Sequence, residues 1–146
     1  MADLNRRVRA GAAALIVMAG ALAGCGGAGA PAAVCADPVP VDRERLAALP
    51  AGLDLRRTGT VTEVTKGDGG FVSATAVADS TVDETYTTFP EVLAKAGFEV
   101  VAAENEGVEA DIFFARDQAA TGSVKLTEGP CEGQVTARLT VTNTGG

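Results

Sequence analysis

Residues able to do chemistry are sparse in this chain. Its 146 residues include three cysteines and no histidine. That removes imidazole general-base catalysis and the commonest nitrogen ligand for zinc, copper or non-haem iron. Ser73, Ser80 and Ser123 have no histidine to activate them, and Lys66, Lys95 and Lys125 stand in no Ser-x-x-Lys arrangement. The densest acidic group is Glu104, Glu106, Glu109 and Asp111. Calcium takes about six to eight oxygens from a loop that wraps one point, and the D-x-[DN]-x-[DN]-G order is missing here. Glu109 and Asp111 instead fall on the outward side of an alternating run, so the group reads as a solvated acidic hairpin. Paired carboxylates serve glycoside hydrolases, but nothing in the sequence places two of them in a pocket. Gly67-Asp68-Gly69-Gly70 joins two strand-like runs rather than a strand and a helix N-terminus, which makes it a turn and not a phosphate cradle. A net charge of −7 argues against a nucleic-acid partner, which needs a clustered basic face. The expectation is a protein with no catalytic residues, no metal and no cofactor.

The N-terminus accounts for the first cysteine. Arg6, Arg7 and Arg9 precede an apolar run from Ala10 to Ala21, the pattern of a secretory signal peptide. The run is short of the roughly 20 apolar residues that span a membrane. Leu22-Ala23-Gly24-Cys25 follows at once and resembles the lipobox of bacterial lipoproteins at all four positions. The resemblance implies a diacylglyceryl thioether on Cys25, cleavage after Gly24, and a chain lipid-anchored to the outer face of the cell membrane. Two acyl chains make such an anchor stable where one would not. The Arg6-Arg7 pair lacks the Ser/Thr and Phe-Leu flanks of a twin-arginine signal, so general secretion is expected. The remainder is similar only in composition to small alanine- and valine-rich lipoproteins of high-GC Gram-positive bacteria. Loss of Asp3 and of the three arginines would leave nine basic and 18 acidic residues, a charge that keeps the domain off an anionic membrane surface. Gly26 to Pro40 reads as a tether with an r.m.s. reach of about 20 Å.

With Cys25 lipidated, Cys35 and Cys131 form an even pair in a compartment where disulfides persist. A bridge between them would pin the tether to the Glu128–Gly133 turn.

The remaining residues, 41–146, are expected to form a single α+β domain, ββαββββ in sequence, with about six antiparallel strands and one helix on one face. Asp42 reads as the N-cap of a short helix ending before Pro50. Thr58–Lys66 and Phe71–Ala78 form a hairpin across the glycine-rich turn. Thr81 and Glu84 make a capping box, after which Val82, Tyr86, Phe89 and Leu93 mark one helix face; Gly97 supplies the stop. Pro90 predicts a kink or break in that helix. Phe98–Ala103 and Val108–Ala115 alternate with period two. A three-residue loop, Asn105-Glu106-Gly107, would pair Phe98 with Phe114 and Val100 with Ile112 and bury like with like. Thr121–Thr127 and Gln134–Thr142 complete the sheet, the last with Val135, Ala137, Leu139 and Val141 inward. Aromatic residues make up 4% of the chain, with no tryptophan, so the core is thin.

Val101 and Phe113 fall on the sheet face away from the helix. The expectation is that Val41–Leu55, carrying Leu46, Leu49, Leu53 and Leu55, folds across and buries them, because exposed apolar patches are normally small. The alternative is that they form a partner-binding face. The functional expectation is a lipid-anchored, non-catalytic accessory or interaction module of the cell envelope. The competing reading, a carrier of a small or lipidic ligand, needs a cavity of roughly 300 Å³ or more, which one helix on a short sheet hardly encloses.

Overall fold

The computed structural model describes residues 35–143. The signal segment, the Leu22–Cys25 motif, the tether up to position 34 and the last three residues lie outside it.

The chain folds as an α+β structure: one six-stranded antiparallel sheet with one main helix. The strands are β1 (Thr60–Lys66), β2 (Phe71–Asp79), β3 (Glu99–Asn105), β4 (Glu109–Arg116), β5 (Ala120–Glu128) and β6 (Gln134–Asn143). Their spatial order is β1-β2-β6-β5-β4-β3. After the β1–β2 hairpin the chain crosses one face to the far edge, and the β3–β6 meander then walks back until β6 pairs with β2. A short helix, α1 (Arg43–Leu46), and a 3-10 turn at Leu55–Arg57 precede β1; α2 (Val82–Lys95) is the crossing helix.

Both ends of α2 follow the sequence. Thr81 Oγ1 accepts from the Glu84 amide at 3.2 Å while Glu84 Oε2 accepts from the Thr81 amide at 3.1 Å, so two N-terminal donors are satisfied reciprocally. At the other end Gly97 takes φ +78. Phe98 N–H then reaches the Leu93 carbonyl and Gly97 N–H the Ala94 carbonyl, both at 3.0 Å, which is a Schellman stop. The buried stripe is Val82, Thr85, Phe89, Val92 and Leu93. Tyr86, expected on that face, is half-buried and packs against the core from its margin. The helix runs unbroken through Pro90, which lies on the exposed side.

That stripe shares one core with inward residues from five strands, among them Val61, Val72, Ile112, Phe114, Val124, Leu126, Leu139 and Val141. Gly122 is part of this packing: a Cβ there would lie 2.4 Å from the Phe114 ring, so its absence makes room for the largest buried side chain of β4.

The β3–β4 register departs from the sequence reading. Val100, not Phe98, is the partner of Phe114, and Ala103 is the partner of Ile112. The Glu106 amide bonds the Glu109 carbonyl at 2.9 Å, leaving a two-residue turn of Gly107 and Val108 with Gly107 at φ +86. Primed hairpin turns demand that left-handed glycine. A bulge at Val101 absorbs the offset. Phe98 sits ahead of the strand and still meets Phe114, edge to face at 5.0 Å.

Cys35 and Cys131 form a disulfide, with Cα atoms 5.8 Å apart across 96 residues of sequence. Cys131 lies in the β5–β6 turn, whose Gly133 carbonyl accepts from the Ser80 amide where β2 gives way to α2. From there residues 36–40 run to edge strand β1, where the Val41 amide bonds the Val61 carbonyl at 2.8 Å.

Two outcomes follow from these ties. Replacing both cysteines, Cys35→Ser with Cys131→Ser, lowers unfolding stability by up to about 4–5 kcal/mol on the chain-entropy account of a loop this long; denaturant melts of oxidised wild type and double variant measure it, and coincident midpoints would contradict it. The capping-box bonds hold the Glu84 carboxyl below the usual glutamate range, the Thr81 amide contributing most. A depressed folded pKa gives stability that is present above the ordinary value, about 4.3, and lost as pH falls through the folded value. The difference in melting temperature between wild type and Glu84→Gln is therefore expected near neutrality and shrinks below about pH 4.

Candidate functional site

Helix α2 packs over β3, β4 and β5. A helix is about 10 Å across, whereas six strands at about 4.8 Å spacing extend some 24 Å. The β1 side therefore needs another cover, and Val41–Leu55 supplies it on the helix face. Leu53 and Leu55 are buried in the common core, with Leu46 and Leu49 packed against it. The expected fold of this segment across Val101 and Phe113 does not occur. Phe113 is 44% exposed and Val101 65%, and their face is covered by nothing among the described residues.

That open face is ordered by its cross-strand rows. Phe113 is flanked by Ala102 on β3 and Ser123 on β5. Ser123 and Thr140 share a hydrogen bond at 3.0 Å. Small neighbours leave the Phe113 ring standing proud beside a shallow groove of about 350 Å³, which Val101, Ala115, Thr121 and Thr142 also line. Val101 reaches the same side through its bulge.

The next row carries charge. Glu104 pairs with Asp111, Asp111 with Lys125, and Lys125 with Arg138. Lys125 Nζ lies 3.1 Å from Glu109 Oε1 and 3.6 Å from Asp111 Oδ2, and the Glu109 hydrogen bond chiefly raises the lysine pKa. Two of the four acidic residues singled out from the sequence thus already share an ammonium. Among the described residues Glu104, Glu106 and Glu99 make no ion pair. No group of three metal-ligating side chains occurs among the described residues.

A second concavity was missed in the sequence. The segment latched by the disulfide, with Pro38, Pro40 and Val41, forms one wall of a cavity of about 1000 Å³. Arg43 and Leu46 of α1, Arg56 and Arg57 of the 3-10 turn, Val61 and Val77 at the sheet end, and Glu84 and Thr88 of α2 line the rest. It exceeds the roughly 300 Å³ that a small-ligand carrier needs, which one helix alone was not expected to enclose; the N-terminal segment is the missing wall. Arg56 is engaged by Asp54 at 2.7 Å, a bond that holds the Asp54 carboxyl below its usual range. Arg57 shares Glu91 with Lys95, at 3.2 and 2.8 Å. Arg43 has no carboxylate partner among the described residues.

No protein-family model matches the chain, and no curated protein does.

The two faces of the sheet make a direct test of which side is open. A cysteine at Phe113 (Phe113→Cys) reacts with a bulky maleimide in the folded protein within about tenfold of the rate of an unstructured peptide, whereas Val124→Cys, wholly buried on β5, reacts more than ~100-fold slower because it waits for the core to open. Equal protection at both positions would contradict an open face.

Proposed function

We propose that this protein is a lipid-anchored, extracytoplasmic and non-catalytic module of the cell envelope, held to the membrane through Cys25 and contacting a partner protein with the β3–β4 corner of its open sheet face. The observation that carries this reading is the exposure of Phe113 and Val101 side by side on a face where the chain had a leucine-rich segment available as a cover and used it elsewhere. Aromatic side chains on an otherwise small and hydroxylic surface are the usual anchors of a protein contact. The lipobox at Leu22–Cys25 supports the anchored location, and an acidic domain on a tether stands clear of the lipid, where such a face is accessible.

A second reading is favoured by one feature, the cavity bounded by residues 38–41 and the first turns of α2. It suits a small or lipidic ligand with an apolar body, held against Val61, Val77 and Leu46, and an anionic group facing Arg43. Mass spectrometry of organic extracts from the natively purified protein separates the two: a stoichiometric small molecule supports the carrier reading.

If Cys25 is acylated, the protein partitions into detergent and Cys25→Ala moves it to the soluble fraction; membrane fractionation at the wild-type level in that variant would contradict the anchor. A photo-crosslinking residue at position 113 of the anchored protein gives a discrete adduct that one at Glu63, far along the same face, does not. Indistinguishable patterns from both positions would contradict the contact surface.

A further inference from the structure

The two edges of the sheet are treated differently by the chain. Edge β1 receives the Val41 amide at Val61 and is flanked by the N-terminal segment. Edge β3 is exposed at all seven residues and, among the described residues, pairs only with β4. Its free hydrogen-bonding groups follow from the ladder. The Glu106 amide bonds the Glu109 carbonyl, and in an antiparallel pair the residues that face the partner alternate with those that face away. Glu104 and Ala102 therefore turn toward β4, while Ala103 and Asn105 present their N–H and C=O groups outward.

The side chains along this edge have one sign. Between Phe98 and Ala115 there is no lysine or arginine, and Glu99, Glu104 and Glu106 have no cationic partner among the described residues. Acidic side chains and a bulge are common devices against edge-to-edge aggregation, and here they act against one particular partner. A second copy paired along β3 would bring six uncompensated carboxylates together, with like charges across a ladder destabilising it. A basic strand meets the same carboxylates favourably. The Val101 bulge lies toward one end, so Ala102–Asn105 is regular backbone. On the open face Ala102, between Glu104 and Val101, sets only a methyl group beside Phe113.

We infer that β3 is a docking edge, on which an extended basic segment of a partner protein adds as a seventh strand, with lysine or arginine set four residues apart on one face and an apolar residue between them. This rests on the reading of the β3–β4 corner as the contact surface and specifies how that surface is used: main-chain bonds supply affinity and the alternate side chains supply selectivity.

The probe is a capped nine-residue peptide of alternating lysine, threonine and valine with that spacing, titrated into the purified full chain. Saturable binding is expected, with new hydrogen-exchange protection at the Ala103 and Asn105 amides and none gained at Ala102 and Glu104. A glutamate-for-lysine version, and one N-methylated on its main chain, should each bind at least roughly tenfold more weakly. Ala103→Pro removes an outward donor on an edge strand, where proline is tolerated. It should weaken binding at least about tenfold while leaving the melting temperature within a few degrees of wild type. Glu104→Lys, which keeps the backbone, should weaken it similarly. Absence of saturable binding overturns the proposal, as does N-methylated peptide binding equally well or concentration-dependent pairing of the chain with itself through β3. If Phe113→Ser weakens the peptide while Ala103→Pro does not, the corner remains a contact surface and strand addition is overturned.

Discussion

A single 14-residue helix has to cover a six-stranded sheet, and it is less than half as wide as the sheet. The strands β1, β2 and β6 present Val61, Val72, Ala74 and Leu139 on the same face as β4 and β5, and apolar area of that extent is costly to leave in water. The α2 crossing from β2 to the far edge seats the helix over β3–β5 because it must deliver the chain there. What remains is the β1 side, and the leucines ahead of β1 fill it. The position of Leu53 and Leu55, the wall of the large cavity and the bareness of the opposite face are all consequences of this shortage of cover.

The disulfide belongs to the same account. A segment of alanine, proline and valine has no packing of its own to hold it over a sheet end. Closing it onto Cys131 limits the conformations it explores in the unfolded chain, and the Val41–Val61 bond sets its other end. The cavity wall is therefore made by covalent and main-chain ties rather than by side-chain burial, which is why residues 36–40 stay largely exposed while still shaping a concavity.

Much of this was legible in the residues themselves. The capping box, the Gly97 stop and the period-two runs of β6 and β4 specify their elements because each is a local signal with a local cause. The cysteine pair followed from parity once Cys25 was set aside. What was not legible depended on relations between elements. The β3–β4 register was read by matching apolar faces, a rule that governs strands buried on one side; β3 is an edge strand exposed along its length, so burial places little demand on it and the Gly107 turn sets the pairing. Tyr86 was read into the helix stripe by its spacing and packs at its margin; the burial of Thr85 beside it was not legible, because it depends on the Ser80 hydroxyl that accepts from Thr85 at 3.3 Å. The leucines of Val41–Leu55 announce a cover without saying which face they take. Sequence periodicity carries no information on that choice, because it is decided by how far the crossing helix reaches.

The choice of face is the central claim, and it is read most directly by nuclear Overhauser contacts from methyl-labelled Leu53 and Leu55. The account predicts contacts to protons of β1 and α2, and none to the ring of Phe113 or the methyls of Val101. Contacts from either leucine to Phe113 or Val101 would place the segment across the other side of the sheet and contradict the open face on which the functional reading stands.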